Sequence, residues 1–300
     1  MQKSKKYLKT WIVKEWCIVA ILSFWSGSSK ETCQTLSIVA IATYMSVEHN
    51  YKTLLIDATH NDDTIQRCFW KMDVNKEIKA SLNKGKLDIA SGTEGLMSAI
   101  ASNKTTPEII SNYTKVVFNK RLDILLGLKT HDTKEYEKML PLYEDLVTAA
   151  NKFYDLVIID LPKTADREAV HKILKKSDVI MYTMSQNLKQ IDEYIDLKNK
   201  IPELKSKTVI PILCNVDEYS KYNPKNVINY TKEKNLAFIS HNNIFMEAAS
   251  EAKVATFFIN TRLYKKTWDK NTQFFESIAD ASKKIMDKFE EIRYGKVLNS

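Results

Sequence analysis

Residues 18–59 read IVAILSFWSGSSKETCQTLSIVAIATYMSVEHNYKTLLIDAT. The order of patterns within them decides the fold. WCIVAIL (16–22) is a short apolar run with β-branched residues that stops at a Ser/Gly cluster, which predicts a buried strand. KETCQTLSIVAIATYMSV (30–47) carries Leu36, Val39, Ala40, Thr43 and Val47 at helical spacing, and KTLLIDAT (52–59) is a second apolar strand. Strand, loop, helix and strand in this order form a βαβ unit, whose crossover is right-handed and whose strands run parallel.

The alternation continues downstream. Strands are expected at RLDILLG (121–127), YDLVIID (154–160), DVIMYTM (178–184), TVIPILCNV (208–216) and LAFIS (236–240). Helices are expected at 135–153, 166–177, 188–201, 223–235 and 243–253. Repeated βα units without a fixed repeat length predict an α/β fold, a doubly wound, mostly parallel sheet with helices on both faces. The segment 72–117 shows mixed polar helix patterns and is expected to lay helices over one sheet edge. The expected organisation is one domain over 1–300, with a core at 16–260 and a C-terminal helical segment at 261–300. In that last segment Phe275, Ile278, Ala279, Ile285, Met286, Phe289 and Ile292 form an apolar stripe, expected to pack on the core rather than lie on a membrane.

Composition narrows the function classes. Three hundred residues with 44% apolar side chains can bury a large core, and 6 Gly with 6 Pro are too few for an all-β protein built on tight turns. A net charge of +8 permits contact with nucleic acid or an anionic surface without requiring it. Cys17, Cys33, Cys68 and Cys214 lack metal or redox spacing, so a cytoplasmic protein is expected. The apolar run Trp16 to Trp25 is too short to span a bilayer, and the Lys-rich start does not read as a signal peptide. His49, His60, His131, His171 and His241 show no metal spacing.

FWSGSSKET (24–32) lies between the first strand and the first helix, where a phosphate-binding loop would sit. Such a loop works because backbone N–H groups and a helix N-terminus converge on the anion, a lysine adds charge and a Ser/Thr hydroxyl holds Mg²⁺. Here Lys30 is present, but Gly27 alone precedes it and Glu31 follows it. A carboxylate at that point repels phosphate. The same residues also read as Ser28-x-x-Glu31, a capping box through which a helix satisfies its own free amides. Both readings stand at this point.

Five segments in order resemble the ParA/MinD family of deviant-Walker P-loop ATPases over about residues 16–260: the stretch quoted above, YDLVIIDLPK (154–163), DVIMYTMSQNLKQIDEY (178–194), VIPILCNVDEYS (209–220) and FISHNNIFMEAASEAKVATFF (238–258). The resemblance implies a P-loop NTPase fold, ATP with Mg²⁺, and a homodimer. It puts Phe24 on the first loop glycine, Trp25 on the signature lysine, Ser26 and Ser29 on further glycines, and Glu31 on the magnesium-holding hydroxyl. Gly27, Ser28, Ser29, Lys30, Glu31 and Thr32 would line the phosphates, and Asn215, Ser240 and His241 the adenine. Asp57 and Asp160 match the magnesium-side aspartates, while Thr59 and Lys163 replace the second aspartate of D-x-D and a proline. Lys30, Asp57 and Asp160 are thus vestigial catalytic candidates, with hydrolysis expected to be weak or lost. Atypical loops resemble those of TadZ/CpaE-like localisation factors, which implies a protein client at a pilus, secretion or partition complex. An active partition ATPase and a nucleotide-independent DNA adaptor are the alternatives. For DNA, the candidate contacts are Arg262, Lys265, Lys266 and Lys270, near Tyr264 and Trp268.

Overall fold

The computed structural model of the chain describes residues 19–27, 32–72, 92–102, 107–129, 132–163, 168–263 and 270–298. Eight strands form one sheet in the order β3-β4-β2-β5-β1-β6-β7-β8. They are β1 (Ala20–Trp25), β2 (Thr53–Asp57), β3 (Lys115–Phe118), β4 (Leu122–Leu125), β5 (Leu156–Asp160), β6 (Val179–Met184), β7 (Thr208–Val216) and β8 (Ala237–Ser240). All neighbours run parallel except β3, which returns antiparallel along β4 with an irregularity between Val116 and Phe118.

The helices in chain order are α1 (Gln34–Glu48), α2 (Thr64–Phe69), α3 (Thr93–Ala101), α4 (Thr133–Met139), α5 (Leu142–Ala150), α6 (Glu168–Lys176), α7 (Leu188–Lys200), α8 (Pro202–Ser206), α9 (Pro224–Thr231), α10 (Asn243–Ser250), α11 (Val254–Leu263) and α12 (Lys270–Leu298). Because successive strand side chains point to opposite faces, β1 sends Ile21 and Trp25 into one core and Ala20, Leu22 and Phe24 into the other. The first core packs under α3 to α9 and the second under α1, α2 and α10 to α12. The two-layer covering expected from the βα alternation is therefore present, and the central strands are apolar on both faces as buried parallel strands must be.

The larger departures from the sequence reading have identifiable causes. The first strand runs through Phe24 and Trp25, which the sequence reading gave to the loop, because both side chains are fully buried, one on each face. Helix α1 starts at Gln34 rather than near Lys30, since Cys33 adopts a left-handed φ of 52° that no continuing helix allows. The expected helix over 135–153 is two helices, because Pro141 has no N–H to give to an interior helical bond. The segment before residue 117 supplies α3 and a 3-10 turn (Pro107–Tyr113), but also leads into edge strand β3, which was not foreseen.

Pro211 inside β7 is tolerated for a positional reason. It pairs with Tyr182 of β6, and β8 joins β7 only from Ile212 onward. At Pro211, therefore, β7 has no paired strand on its β8 side, an edge-like position of the kind where proline is accommodated. The stripe on α12 is rotated from the expected one: Phe274, Ile278, Ala281, Ile285 and Phe289 are buried, while Phe275, Met286 and Ile292 pack at its margin.

Candidate functional site

The carboxyl ends of β1, β2 and β5 meet at one rim of the sheet, the usual crevice for ligands in open α/β folds. Phe24 is in register with Asp160, and Asp160 with Asp57, so two carboxyls end adjacent strands side by side. Asp160 is fully buried and Asp57 nearly so. Burial pushes Asp57 up to about 8, with the neighbouring Asp160 charge adding to it. Burial likewise pushes Asp160 up to about 6.

Asp57 is held by Thr59, which stands where the resemblance expects a second aspartate. Its Oδ1 accepts from the backbone N–H of Thr59 at 2.9 Å and from Thr59 Oγ1 at 2.6 Å. A Cβ at Gly127 would fall 2.9 Å from Asp57 Oδ2, so this glycine is required for close approach. Tyr143 donates to the Asp57 carbonyl at 3.2 Å and Tyr136 to that of Ala58 at 2.7 Å, fixing the end of β2 from α4 and α5.

Asp160 is engaged by α1. Gln34 Nε2 donates to its Oδ1 at 2.6 Å, and Thr35 Oγ1 donates to its Oδ2 at 2.8 Å. The same Gln34 nitrogen lies 2.9 Å from the Leu161 carbonyl and 3.5 Å from that of Phe24. Gln34 Oε1 accepts from Thr183 Oγ1 at 2.7 Å, which closes the set onto β6. Sequence reasoning missed Gln34, Thr35 and Thr183. The available signal was a glutamine and a threonine opening an otherwise apolar helix, but nothing in their spacing says which carboxylate they meet.

Of the loop residues, 28–31 lie outside the described residues, and with them Ser28, Ser29, Lys30 and Glu31. The capping-box reading, Ser28-x-x-Glu31, falls on these residues as well. Gly27 packs so closely under α7 that a Cβ there would meet Leu197 Cδ1 at 2.1 Å. Trp25, at the signature-lysine position, is buried against Tyr182 with ring centroids 5.7 Å apart. Thr32 is buried and its hydroxyl has no hydrogen-bond partner.

Asn215, Ser240 and His241 do come together. Asn215 has a left-handed φ of 57°, its Oδ1 lies 2.7 Å from His241 Nδ1, and His241 Nε2 lies 2.7 Å from Asn243 Oδ1. Asn215 and Ser240 line a cavity of about 20 Å³ with Cys33, Leu36, Ser37 and Phe245. That volume holds about one water, against several hundred Å³ for an ordinary ligand pocket. The side chains of Arg262, Lys265, Lys266 and Lys270 fall outside the described residues. Among the described residues no group of His, Cys, Asp and Glu could by itself hold a metal ion.

The described residues fit an anion better than they fit Mg²⁺ with ATP. Helix α1 begins without a side-chain cap and without an acidic residue in its first turn, and the Thr32 hydroxyl beside it is unsatisfied. The N-terminus of a helix with an orphan hydroxyl beside it suits a phosphate or carboxylate. At the metal position the Asp160 carboxyl is already engaged by the Gln34 amide and the Thr35 hydroxyl, so a cation there would have to compete with both. On the adenine side the 20 Å³ cavity is too small for a purine, but Ser240 and His241 also line a cavity of about 760 Å³ with Val216, Tyr219 and Phe238, a volume within the range of ligand pockets.

No protein-family model matches the sequence, and no curated protein matches it significantly. Solved structures do match its fold. A ParA family ATPase from Chlorobium tepidum is 13% identical with a TM-score of 0.66, covering 88% of this chain and 98% of its own. The cell division ATPase MinD of Pyrococcus furiosus is 14% identical with a TM-score of 0.62, covering 90% and 99%. A plasmid partition protein of Borrelia burgdorferi, bound to AMPPNP, is 16% identical with a TM-score of 0.55, covering 90% and 99%. The expected ParA/MinD-type P-loop fold is therefore present along most of the chain.

Proposed function

We propose that this chain is a ParA/MinD-like positioning or scaffold protein that does not depend on an ATP hydrolysis cycle. The observation that carries the reading is the Asp160 carboxylate, which sits at the fold's metal position but is already satisfied by Gln34 and Thr35. MinD of Pyrococcus horikoshii is known in complex with Mg-ADP and MinD of Aquifex aeolicus in complex with MinC, which makes nucleotide and a protein partner the natural classes to test. In the proposed protein the client, at a pilus, secretion or partition complex, is bound whether or not nucleotide is present. Its homodimer lacks a signature lysine reaching across to a partner, because Trp25 points into its own core. No described helix is long and apolar enough to cross a membrane, and we place the protein in the cytoplasm.

ATP titration by calorimetry with and without Mg²⁺, beside a turnover assay, tests the reading. Absent or metal-independent binding without turnover supports it. Micromolar Mg²⁺-dependent binding with turnover lost in Lys30→Ala overturns it in favour of an active partition ATPase, a reading that Thr32 and the uncapped α1 keep in view. DNA binding that weakens with salt and ignores ATP would instead support the adaptor alternative.

A further inference from the structure

Among the described residues Gln34 Nε2 meets three oxygens: Asp160 Oδ1 at 2.6 Å, the Leu161 carbonyl at 2.9 Å and the Phe24 carbonyl at 3.5 Å. One carboxylate oxygen and two carbonyls converging on a point are the donor set a hard cation selects. The point is buried, since Gln34, Phe24 and Asp160 are all at 0% exposure. A buried carboxylate must be paired, protonated or hydrogen-bonded. Here the partner is a neutral amide carried by the protein itself, with the far oxygen of that amide anchored by Thr183.

We infer that Gln34 is a built-in substitute for a cation: its amide nitrogen fills an oxygen cage at the ends of β1 and β5 and locks the start of α1 there without metal. A metal can arrive and leave, so a cage that waits for one can report its presence. An amide on the chain cannot leave. The first turn of α1 is therefore tied to β1, β5 and β6 through one side chain, and the rim keeps a single arrangement. The inference deepens the proposed hydrolysis-independent role and takes its significance from it.

Removing the donor should expose the cage, and adding an oxygen should complete it. Gln34→Glu keeps the length of the side chain but replaces the donor by an acceptor facing Asp160 and two carbonyls. Its melting temperature in chelator should fall by roughly 5 °C or more, from the loss of a charge-assisted bond and the new repulsion. Millimolar Mn²⁺ should recover it, with one Mn²⁺ bound per chain by electron paramagnetic resonance. Gln34→Met, which fills the space without a donor, should also be destabilised, and Mn²⁺ should not restore it. The wild type should melt at the same temperature in chelator and in Mn²⁺.

The inference is overturned if the wild type binds Mn²⁺ at this point, if Gln34→Glu or Gln34→Met is as stable as wild type in chelator, or if Gln34→Glu gains nothing from Mn²⁺. A glutamine with only a structural role would leave both variants metal-insensitive. Turnover of ATP by the wild type at a site elsewhere on the loop would sink the functional proposal and leave these outcomes untouched.

Discussion

At the scale of single residues, the rim is governed by two buried carboxyls whose protons matter to stability. Folded, Asp57 keeps its proton up to about pH 8, whereas its ordinary value is 3.8. Between those values the folded chain binds a proton that the unfolded chain has released, so this contribution is full at acid pH and is lost as pH rises through 8. Asp160 acts in the same direction over a lower window, ending near 6. Asp57→Asn keeps an oxygen for Thr59 and has no charge to develop. Urea denaturation at about pH 6 and about pH 9 should show wild-type stability falling more steeply than that of the variant. Gly127→Ala should cost about 1–3 kcal/mol by the same measurement, because its methyl would press on a carboxyl that Thr59 holds in place.

At the scale of elements, the strand that leads into the loop has been lengthened by large side chains. Phe24 and Trp25 are buried on opposite faces of β1, so that strand continues where the family resemblance expects flexible, glycine-rich backbone. Trp25→Ala should destabilise by about 3–5 kcal/mol in chemical denaturation. Trp25→Lys should be no better and should not confer ATP-dependent dimerisation in light scattering, because the side chain faces Tyr182 and its own core. Most elements were legible in the sequence because period and burial agree in them: β5 and β6 are unbroken apolar runs, and β2 differs from its expected span only at the ends. For the same reason Asp57 and Asp160 could be read as ending neighbouring strands, and they stand side by side. What the sequence hid was decided by single side chains in three dimensions. Cys33 turning left-handed moved the start of α1, Pro141 divided a helix that reads as continuous, and Gln34 found Asp160 across 126 positions of sequence.

At the scale of the molecule, α12 completes the second core. Phe274, Ile278, Ile285 and Phe289 each stand to contribute about 1.5–3 kcal/mol by burial, a sum comparable with the 5–15 kcal/mol of a whole folded protein. A chain ending before Lys270 should therefore be soluble only as aggregates, or should bind a hydrophobic dye and lose its cooperative melting transition. The same helix also tends the outer strand of the sheet. Ser277 Oγ accepts from the Ser240 N–H at 3.1 Å, and Lys284 Nζ donates to the Leu236 carbonyl at 3.0 Å. At the opposite edge β3 is short, runs against its neighbour, breaks register after Val116 and begins with a lysine. Both rims are thus poor templates for a foreign strand. A second copy or a client would gain little by extending the backbone ladder and is expected to recognise this protein chiefly through side chains. Its assemblies should accordingly dissolve on a single well-chosen surface substitution, and strand-mimicking peptides should leave them intact.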